Sequence, residues 1–215
     1  MGGTSRHWDA HYGRDKSRLS YPDENLVRLL SPILKQLPAE NLIAMDLGCG
    51  SGRHIRTLLE MGIRNTIGVD YSMEALEGHA DIHGTPLVCG DNSALPFRDG
   101  SADIIITWGS LHYANKQATG KMIGEIRRVL KDGGFHLGTL RSSRDTFIRR
   151  GTHLGEDVWI TDLKDLKNST VSFFNEIELT EIFSLYREFS YGIMERTLPG
   201  DMTKLISHWY YRARK

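Results

Sequence analysis

Short apolar runs alternate with segments of helical periodicity along most of this chain. The helical segments lie near residues 53–61, from Ser72 onwards, and over 116–130. Such alternation predicts an α/β fold in which right-handed crossovers build a parallel sheet with helices on both faces. The apolar runs predict strands at 42–47, 65–70, 86–89, 103–107 and 135–140.

The pattern differs before and after this alternating region. An amphipathic helix is predicted after Pro22-Asp23, and Pro32 is expected to kink or split it. Residues 141–171 are polar and show no sustained periodicity. A capping-box sequence at 175–178 then predicts a helix that ends near Tyr186. Two last strands are predicted at 187–194 and 206–213.

A glycine-rich turn between the first strand and the next helix carries the strongest chemical signal. Glycines alternate in Gly48-Cys49-Gly50-Ser51-Gly52, so the main chain can bend sharply and approach a ligand closely. The helix that follows presents unpaired N–H groups. The second strand ends in Asp70, spaced as a βαβ unit requires for a carboxylate that accepts hydrogen bonds from both ribose hydroxyls. These features predict a ligand that resembles a nucleotide.

Two classes of ligand use such a turn. A dinucleotide site requires its third glycine one residue later than Gly52, where this chain has Arg53. Asp46 also stands just before the turn, where a carboxylate repels a pyrophosphate but attracts an ammonium group. The methionine end of S-adenosylmethionine carries such a group. The residues therefore favour a sulfonium donor over NAD.

Composition restricts the size of the domain and the kind of partner. A chain of 215 residues with 40% hydrophobic content can close one substantial core. Its 27 basic and 27 acidic residues give no net field that attracts a polyanion, which disfavours nucleic acid and favours a small-molecule substrate. The sequence contains no leader pattern and no membrane-spanning run, so we expect a cytoplasmic protein without a membrane partner. Cys49 and Cys89 are expected to be reduced filler residues.

Five motifs, in this order along the chain, resemble those of the class I S-adenosylmethionine-dependent methyltransferases, and within them the type 11 methyltransferase domain. The resemblance extends from roughly Asp23 to the last residue. It implies a Rossmann-like seven-stranded sheet of order 3-2-1-4-5-7-6 whose last strand is antiparallel and inserted between two others. The motifs are Asp46–Gly52, Gly68–Ser72, Gly90–Phe97, Asp103–Trp108 and Glu125–Gly134.

The same resemblance implies S-adenosylmethionine as the cofactor and S-adenosylhomocysteine as its product. Asp46 would orient the methionine ammonium, directly or through water, although it could also simply cap the turn. Gly48, Cys49 and Gly50 would contact the cofactor through backbone atoms. Asp70 would bind the ribose, the alternative being an ordinary cap on the next helix.

Five further residues would contact the adenosine or lie near it. Tyr71 would lie beside the adenine, and Asp91 would accept from its amino group, with Asn92 and Ser93 supplying backbone contacts nearby. The alternative for Asp91 is a simple Asx-turn. Trp108 would pack near the adenosine or the methyl donor, or else fill the core.

Two segments flank the predicted site. Residues 1–22 resemble an N-terminal lid, in which Tyr12 or Trp8 would cover the cofactor unless these rings dock on the outer surface. Residues 23–215 are expected to form a single methyltransferase domain. Within it, 141–171 would be a variable insertion on the substrate side, and its arginines would either bind a carboxylate or phosphate or be solvated. These arginines are Arg144, Arg149 and Arg150.

Transfer of a methyl group from a sulfonium needs alignment of the nucleophile more than acid–base chemistry. A neutral amine acceptor requires no base, whereas a hydroxyl acceptor does. His112, just beyond the fourth strand, is the best-placed candidate base, with local packing as the alternative, and His153 is a weaker second. No metal site is expected.

The sequence thus predicts an enzyme that methylates an oxygen or nitrogen of a small molecule. A nucleic-acid or protein methyltransferase is the first alternative. The usual tetrapeptide of enzymes that methylate amino groups in such targets is Asn/Asp-Pro-Pro-Tyr/Phe. This chain has Thr107-Trp108-Gly109-Ser110 instead, which disfavours this alternative. A non-catalytic module that binds S-adenosylmethionine is the second alternative. The pattern leaves the acceptor and the oligomeric state open.

Overall fold

A computed structural model describes residues 8–9, 11–13, 19–77, 82 and 84–215 of the chain. Five helices are present in these ranges, together with short helical pieces around Trp8 and Tyr12. The helices are α1 (Glu24–Leu34), α2 (Arg53–Glu60), α3 (Met73–Glu77), α4 (Lys116–Val129) and α5 (Glu176–Ile182). No helix among the described residues is long and apolar enough to cross a membrane.

Ten strands form two sheets within the described residues. The larger sheet has the order β3-β2-β1-β4-β5-β10-β9, and the smaller one has the order β6-β7-β8. The first five strands are β1 (Ile43–Leu47), β2 (Asn65–Asp70), β3 (Leu87–Cys89), β4 (Ala102–Thr107) and β5 (Leu130–Arg141). The others are β6 (Gly151–Gly155), β7 (Val158–Thr161), β8 (Thr170–Ser172), β9 (Glu188–Leu198) and β10 (Asp201–Arg214).

The topology of the larger sheet confirms the expected order. Strands β1 to β5 are parallel, and β10 lies antiparallel between β5 and β9. Because β10 is reversed, its beginning lies beside the ends of β5 and β9, and His208 is opposite Arg141 in the register. The carboxyl ends of β1 to β5 therefore share one edge with the last residues of β9 and the first half of β10.

Apolar side chains cover both faces of this sheet. Met45, Leu47 and Ile105 point to one face and pack in a cluster with residues of α4 and α5. Ala44 and Ile104, their neighbours along the strands, belong to a second cluster with residues of α1 and α2. This alternation within single strands explains why the strands read as unbroken apolar runs, and it confirms a parallel sheet covered on both sides.

Two local predictions were wrong. Pro32 does not split α1, because it lies in the last turn of the helix, which ends two residues later at Leu34. The strand predicted at 135–140 begins earlier than expected, since α4 ends at Val129 and β5 follows at once from Leu130. The ladder between β4 and β5 is irregular here, and Gly133 takes a φ of +80° within it.

The segment 141–171 contains order that the sequence pattern did not reveal. Strands β6, β7 and β8 form a small antiparallel sheet over residues 151–172, above an apolar cluster of Ile148, Val171 and Phe173. Most of β6 is exposed, so it lacks the apolar alternation that marks a half-buried strand. The capping box of α5 is present as predicted, with the Asn175 side chain accepting from the backbone N–H of Glu178 at 3.0 Å.

Candidate functional site

The glycine-rich turn lies at the carboxyl end of β1 and has a backbone that side chains would disturb. Gly48 and Gly50 have φ values of +77° and +53°, which only glycine adopts readily. A Cβ atom on Gly50 would lie 2.5 Å from the Tyr12 hydroxyl oxygen, and one on Gly48 would lie 2.5 Å from Cβ of Ser110. The turn is held by N–H groups of Gly48 and Cys49 that donate to the Val69 carbonyl at 2.7 and 3.0 Å.

Asp70, the last residue of β2, connects this turn to the start of α3. One carboxylate oxygen accepts from the Gly50 N–H at 2.9 Å, and the other accepts from the Ser72 N–H at 2.9 Å. Burial raises the pKa of Asp70, although the hydrogen bonds from Ser72 and Gly50 act in the opposite direction. Because each carboxylate oxygen has more than one lone pair, the side chain can still accept from a ligand.

A cavity of about 290 Å³ lies at the ends of β1, β2 and β3. Asp91 is at this cavity and also accepts from the Ser93 N–H at 2.8 Å, so the Asx-turn is present beside the cavity and does not exclude a contact with a ligand. Seven of the predicted cofactor residues line this space together: Tyr12, Gly48, Asp70, Tyr71, Asp91, Asn92 and Ser93.

Asp46 is placed behind the turn and lines neither of the two cavities described here. It is 1% exposed, and among the described residues no hydrogen bond reaches either of its carboxylate oxygens. The nearest ionisable neighbour is His54, whose Nδ1 is 3.7 Å from one of these oxygens. A buried carboxylate without hydrogen bonds is costly, so the two carboxylate oxygens of Asp46 are suited to a cationic or hydrogen-bonding ligand.

A second, larger cavity of about 680 Å³ begins where the first ends. Predicted residues Cys49, Gly50 and Trp108 line it, and Trp108, only 6% exposed, also belongs to the core cluster around α1. The cavities share five residues and are therefore adjacent. The shared residues are Trp8, Tyr12, Gly48, Gly109 and Tyr113.

Sequence reasoning missed most residues of the second cavity. They come from α2, from the loop before β6, and from the paired strands β9 and β10, so no local motif joins them. The expected insertion of the last strand was the one sequence feature that pointed to these residues, because it brings residues of β10 to the ligand edge of the sheet. The missed residues include Arg53, His54, Phe147, Met194, Arg196 and His208.

The short N-terminal helical piece packs over both cavities. Trp8 meets Tyr113 edge-to-face with ring centroids 4.9 Å apart, and the Ser72 hydroxyl donates to Asp9 at 2.6 Å. His11 Nδ1 lies 3.0 Å from the Asp165 carbonyl oxygen, in the segment between β7 and β8. The predicted lid residues Trp8 and Tyr12 thus face the site, whereas residues 1–7, 10 and 14–18 lie outside the described part.

The candidate base His112 is buried at 1% exposure and lines neither cavity. Burial lowers its pKa well below the ordinary value, with Arg141 adding to the effect. The ring of His208 lies 5.6 Å from that of His112 and does line the second cavity. Burial, followed by Arg141 and Arg196, lowers the pKa of His208 to about 3. His153 stacks on Trp159 in the small sheet, away from both cavities.

The three arginines predicted in the insertion are all engaged in ion pairs. Arg144 is 3.0 Å from Glu195, and Arg149 is 2.8 Å from Asp157. Arg150 pairs with Asp162. None of the three arginines lines either cavity.

Comparisons with known proteins agree with this geometry. A family model described as a methyltransferase domain matches residues 44–134, which include the turn, Asp70 and Asp91. A probable tRNA methyltransferase 9B from Bos taurus is 36% identical over 102 residues, which are 47% of this chain and 21% of that protein. A putative methyltransferase from Encephalitozoon cuniculi is 27% identical over 158 residues, which are 71% of each protein.

A solved structure extends the likeness to the whole fold. It is the 1,6-didemethyltoxoflavin-N1-methyltransferase from Burkholderia thailandensis, with a TM-score of 0.64 and 22% identity, and the match covers 98% of this chain and 88% of that one. These findings support a class I S-adenosylmethionine-dependent methyltransferase domain, and the family model places it at residues 44–134. The cofactor of this class, S-adenosylmethionine, is the one that the sequence predicted.

Proposed function

We propose that this chain transfers the methyl group of S-adenosylmethionine to an oxygen or nitrogen atom of a small molecule. The observation that carries the proposal is the pair of adjacent cavities, one at the ends of β1 to β3 and the other beside it. Adenosine would occupy the first cavity, and the acceptor would occupy the second. The methyl carbon would then lie near the shared wall of Gly48, Gly109 and Tyr113.

The negative charge of two buried carboxylates near the first cavity supports a cationic cofactor. Asp46 and Asp70 are both buried, and Asp46 contributes to the raised pKa of Asp70. Two neighbouring carboxylates are stabilised by a ligand that carries a positive charge, and S-adenosylmethionine carries both an ammonium and a sulfonium group. Asp70 would accept from the ribose hydroxyls and Asp46 would orient the ammonium group.

The shape of the second cavity supports a small acceptor. It is a concave space of about 680 Å³ that combines apolar and polar side chains, a size usual for small-molecule sites. The similar structure from Burkholderia thailandensis is that of an N1-methyltransferase with bound 1,6-didemethyltoxoflavin, a small molecule. The residues around the cavity would align the acceptor behind the methyl carbon and exclude water.

The buried histidines favour an acceptor that needs little help from a base. With a pKa of about 3, His208 is neutral near pH 7 and can accept a hydrogen bond from the acceptor. It is a weak base, so it removes a proton from a hydroxyl group poorly. An amine that is neutral at the working pH fits this environment better. The assignment of His112 as a base stays a prediction.

A nucleic-acid methyltransferase is the second candidate, because one relative is named as a probable tRNA methyltransferase. That match covers less than half of this chain and about a fifth of the relative. A protein of equal acidic and basic content provides no general attraction for a polyanion. The small-molecule acceptor therefore remains the proposal.

Binding of S-adenosylhomocysteine to an Asp70→Asn variant tests the proposal. Asparagine keeps one acceptor for the Ser72 or Gly50 N–H but cannot accept with both oxygens from a ribose. We expect the affinity, measured by isothermal titration calorimetry, to fall about tenfold or more. Asp132→Asn is the matched control, because Asp132 has a 98% exposed side chain at the opposite edge of the sheet.

Formation of a methylated product is the second part of the test. Wild-type protein that is supplied with labelled S-adenosylmethionine and a panel of small amines and phenols should methylate at least one class of acceptor. Unchanged affinity of Asp70→Asn would refute the cofactor site. Tight cofactor binding with no transfer to any small molecule, but transfer to RNA, would favour the second candidate.

A further inference from the structure

Two guanidinium groups face the second cavity without an ion-pair partner. Arg53 and Arg196 both line it, and neither forms an ion pair with a carboxylate in the described parts of the chain. Among the described residues, Arg53 donates to the Tyr21 carbonyl oxygen at 3.3 Å. Arg53 is half-buried, where an arginine ordinarily has an anionic or multiply accepting partner, and Arg196 is exposed.

The two arginines come from distant parts of the sequence and meet at the ligand edge of the sheet. Arg53 is the first residue of α2, directly after the glycine-rich turn. Arg196 lies near the end of β9, opposite Ile206 of β10. Arg196 reaches this wall because β9 pairs with the inserted strand β10, and the five motifs cited above do not include it.

The two arginines line one cavity and interact electrostatically. Burial lowers the pKa of Arg53, Asp46, Asp23 and Tyr12 act in the opposite direction, and Arg196 has a smaller lowering effect. Arg196 also contributes to the lowered pKa of His208. Asp23, Asp165 and Glu195 line the same cavity, so the attraction for an anion is local to the two guanidinium groups.

The acidic residue next to Arg196 in the sequence, Glu195, already has other partners. Glu195 lines the same cavity, but one of its oxygens is 3.0 Å from Arg144 and accepts from the Ser207 hydroxyl at 2.9 Å. The buried Arg141 is likewise paired, with Asp145. The contrast singles out Arg53 and Arg196 as the arginines left for a ligand.

Several apolar side chains also line the second cavity. Its side chains would enclose a ring or a similar hydrocarbon body between the shared wall and the arginines. The apolar members on this side are Phe147, Leu163, Leu166, Met194 and Ile206.

We propose that the methyl acceptor is a small molecule with an apolar, ring-sized body and a carboxylate or phosphate group, which Arg196 binds with support from Arg53. This inference rests on the proposed function, because it assigns the second cavity to the acceptor. Arg196 would act as the specificity-determining residue, since its planar guanidinium matches both oxygens of such a group. The apolar body would direct the reacting atom toward the methyl donor.

Binding of simple probes to the protein saturated with S-adenosylhomocysteine tests the inference. Benzoate and phenyl phosphate represent the proposed class, and benzamide is the neutral counterpart of benzoate. In calorimetry at low ionic strength, we expect both anions to bind about tenfold or more tightly than benzamide. Arg196→Gln should remove this preference by weakening the anions about tenfold and leaving benzamide unchanged.

Two further variants make the result specific. Arg196→Lys keeps the charge but not the fork of donors, so it should retain part of the preference for anions. Arg187→Gln is the matched control, because Arg187 is exposed, precedes β9, and lines neither cavity. Its affinity for all three probes should equal that of the wild type.

Other outcomes would overturn the inference. The arginines would serve the methionine carboxylate of the cofactor if Arg196→Gln weakened S-adenosylhomocysteine tenfold and benzoate competed with it. Equal affinity for benzoate and benzamide, or no saturable binding of either anion, would exclude an anion site. Failure of the proposed function gives a different result, in which S-adenosylhomocysteine does not bind while benzoate still binds the unliganded protein through Arg196.

Discussion

Asp46 illustrates how one residue can favour function over stability. Its carboxylate is buried, and among the described residues it receives no hydrogen bond. Such a group costs stability in the unliganded protein, and in the proposed function it would be stabilised by the ammonium group of the cofactor. The Gly48 to Gly52 turn and β1 hold it in place, so it cannot turn toward water.

We expect Asp46→Asn to stabilise the unliganded protein by about 1 kcal/mol, because it removes a buried charge. The same variant should bind S-adenosylhomocysteine about tenfold more weakly, because the attraction to the ammonium group is lost. Urea unfolding and calorimetry measure the two effects. Asp99→Asn, which alters an exposed ion pair with Arg128, should change neither the stability nor the affinity for S-adenosylhomocysteine. A variant that lost stability and kept its affinity would contradict this view of Asp46.

The buried side chain of His136 makes the free energy of unfolding depend on pH. Its Nε2 lies 2.8 Å from the Thr107 hydroxyl, and burial lowers its pKa from 6.5 to about 3. Between these values the unfolded chain binds a proton that the folded chain does not bind. The free energy of unfolding therefore falls as the pH is lowered through this window, and it is fully regained above the unfolded pKa. His208 acts in the same direction.

We expect His136 to account for a loss of about 2 kcal/mol between about pH 7 and about pH 5. Urea unfolding of His136→Gln at several pH values should give a correspondingly shallower pH dependence, even if the variant is less stable throughout. His153→Gln is the control, because His153 is exposed in the small sheet. An unchanged slope in His136→Gln would show that this histidine is not the titrating group.

At the scale of elements, close packing between β4, β5 and β10 makes one glycine irreplaceable. A Cβ atom on Gly138 would lie 2.6 Å from the Tyr211 hydroxyl oxygen and 2.8 Å from the Thr107 carbonyl, and closer still to the Thr107 hydroxyl. Gly124, in the middle of α4, is exposed and has open space around such an atom. The same substitution should therefore have opposite effects in the two elements.

Gly138→Ala should destabilise the protein by about 2 kcal/mol or more, because the strands must separate to admit a methyl group. Gly124→Ala should stabilise it by about 0.5–1 kcal/mol through the higher helix propensity of alanine. The two midpoints of urea unfolding measure the difference. Destabilisation by both substitutions to the same extent would contradict the close approach at Gly138.

The elements also explain what the sequence could predict. Strands β1 and β4 are buried on both faces, so each one is a nearly continuous apolar run that a sequence pattern reveals. Strands β6 to β8 were missed because they are short and partly exposed. The glycine turn, Asp70 and Asp91 lie within local motifs, whereas Arg196 and His208 reach the site only through the pairing of β9 with β10, which no local pattern encodes.

At the scale of the whole molecule, balanced charge predicts weak interaction with polyanions. The formal net charge is zero, and several arginines of the described surface are engaged in ion pairs. We expect the protein to elute from a column of immobilised tRNA at or below physiological ionic strength, because counterion release requires unpaired cations on one face. Retention that decreases steeply with added salt would contradict the expectation and favour an RNA substrate.

The position of β10 inside the sheet also affects the order in which the chain acquires its structure during translation. A nascent polypeptide that has just emerged with β9 has no partner for that strand, since within the larger sheet β9 pairs only with β10. Strand β9 can therefore join the larger sheet only after β10 has left the ribosome. The half of the protein that is proposed to hold the adenosine can therefore assemble first, while the wall with Arg196 and His208 is built last.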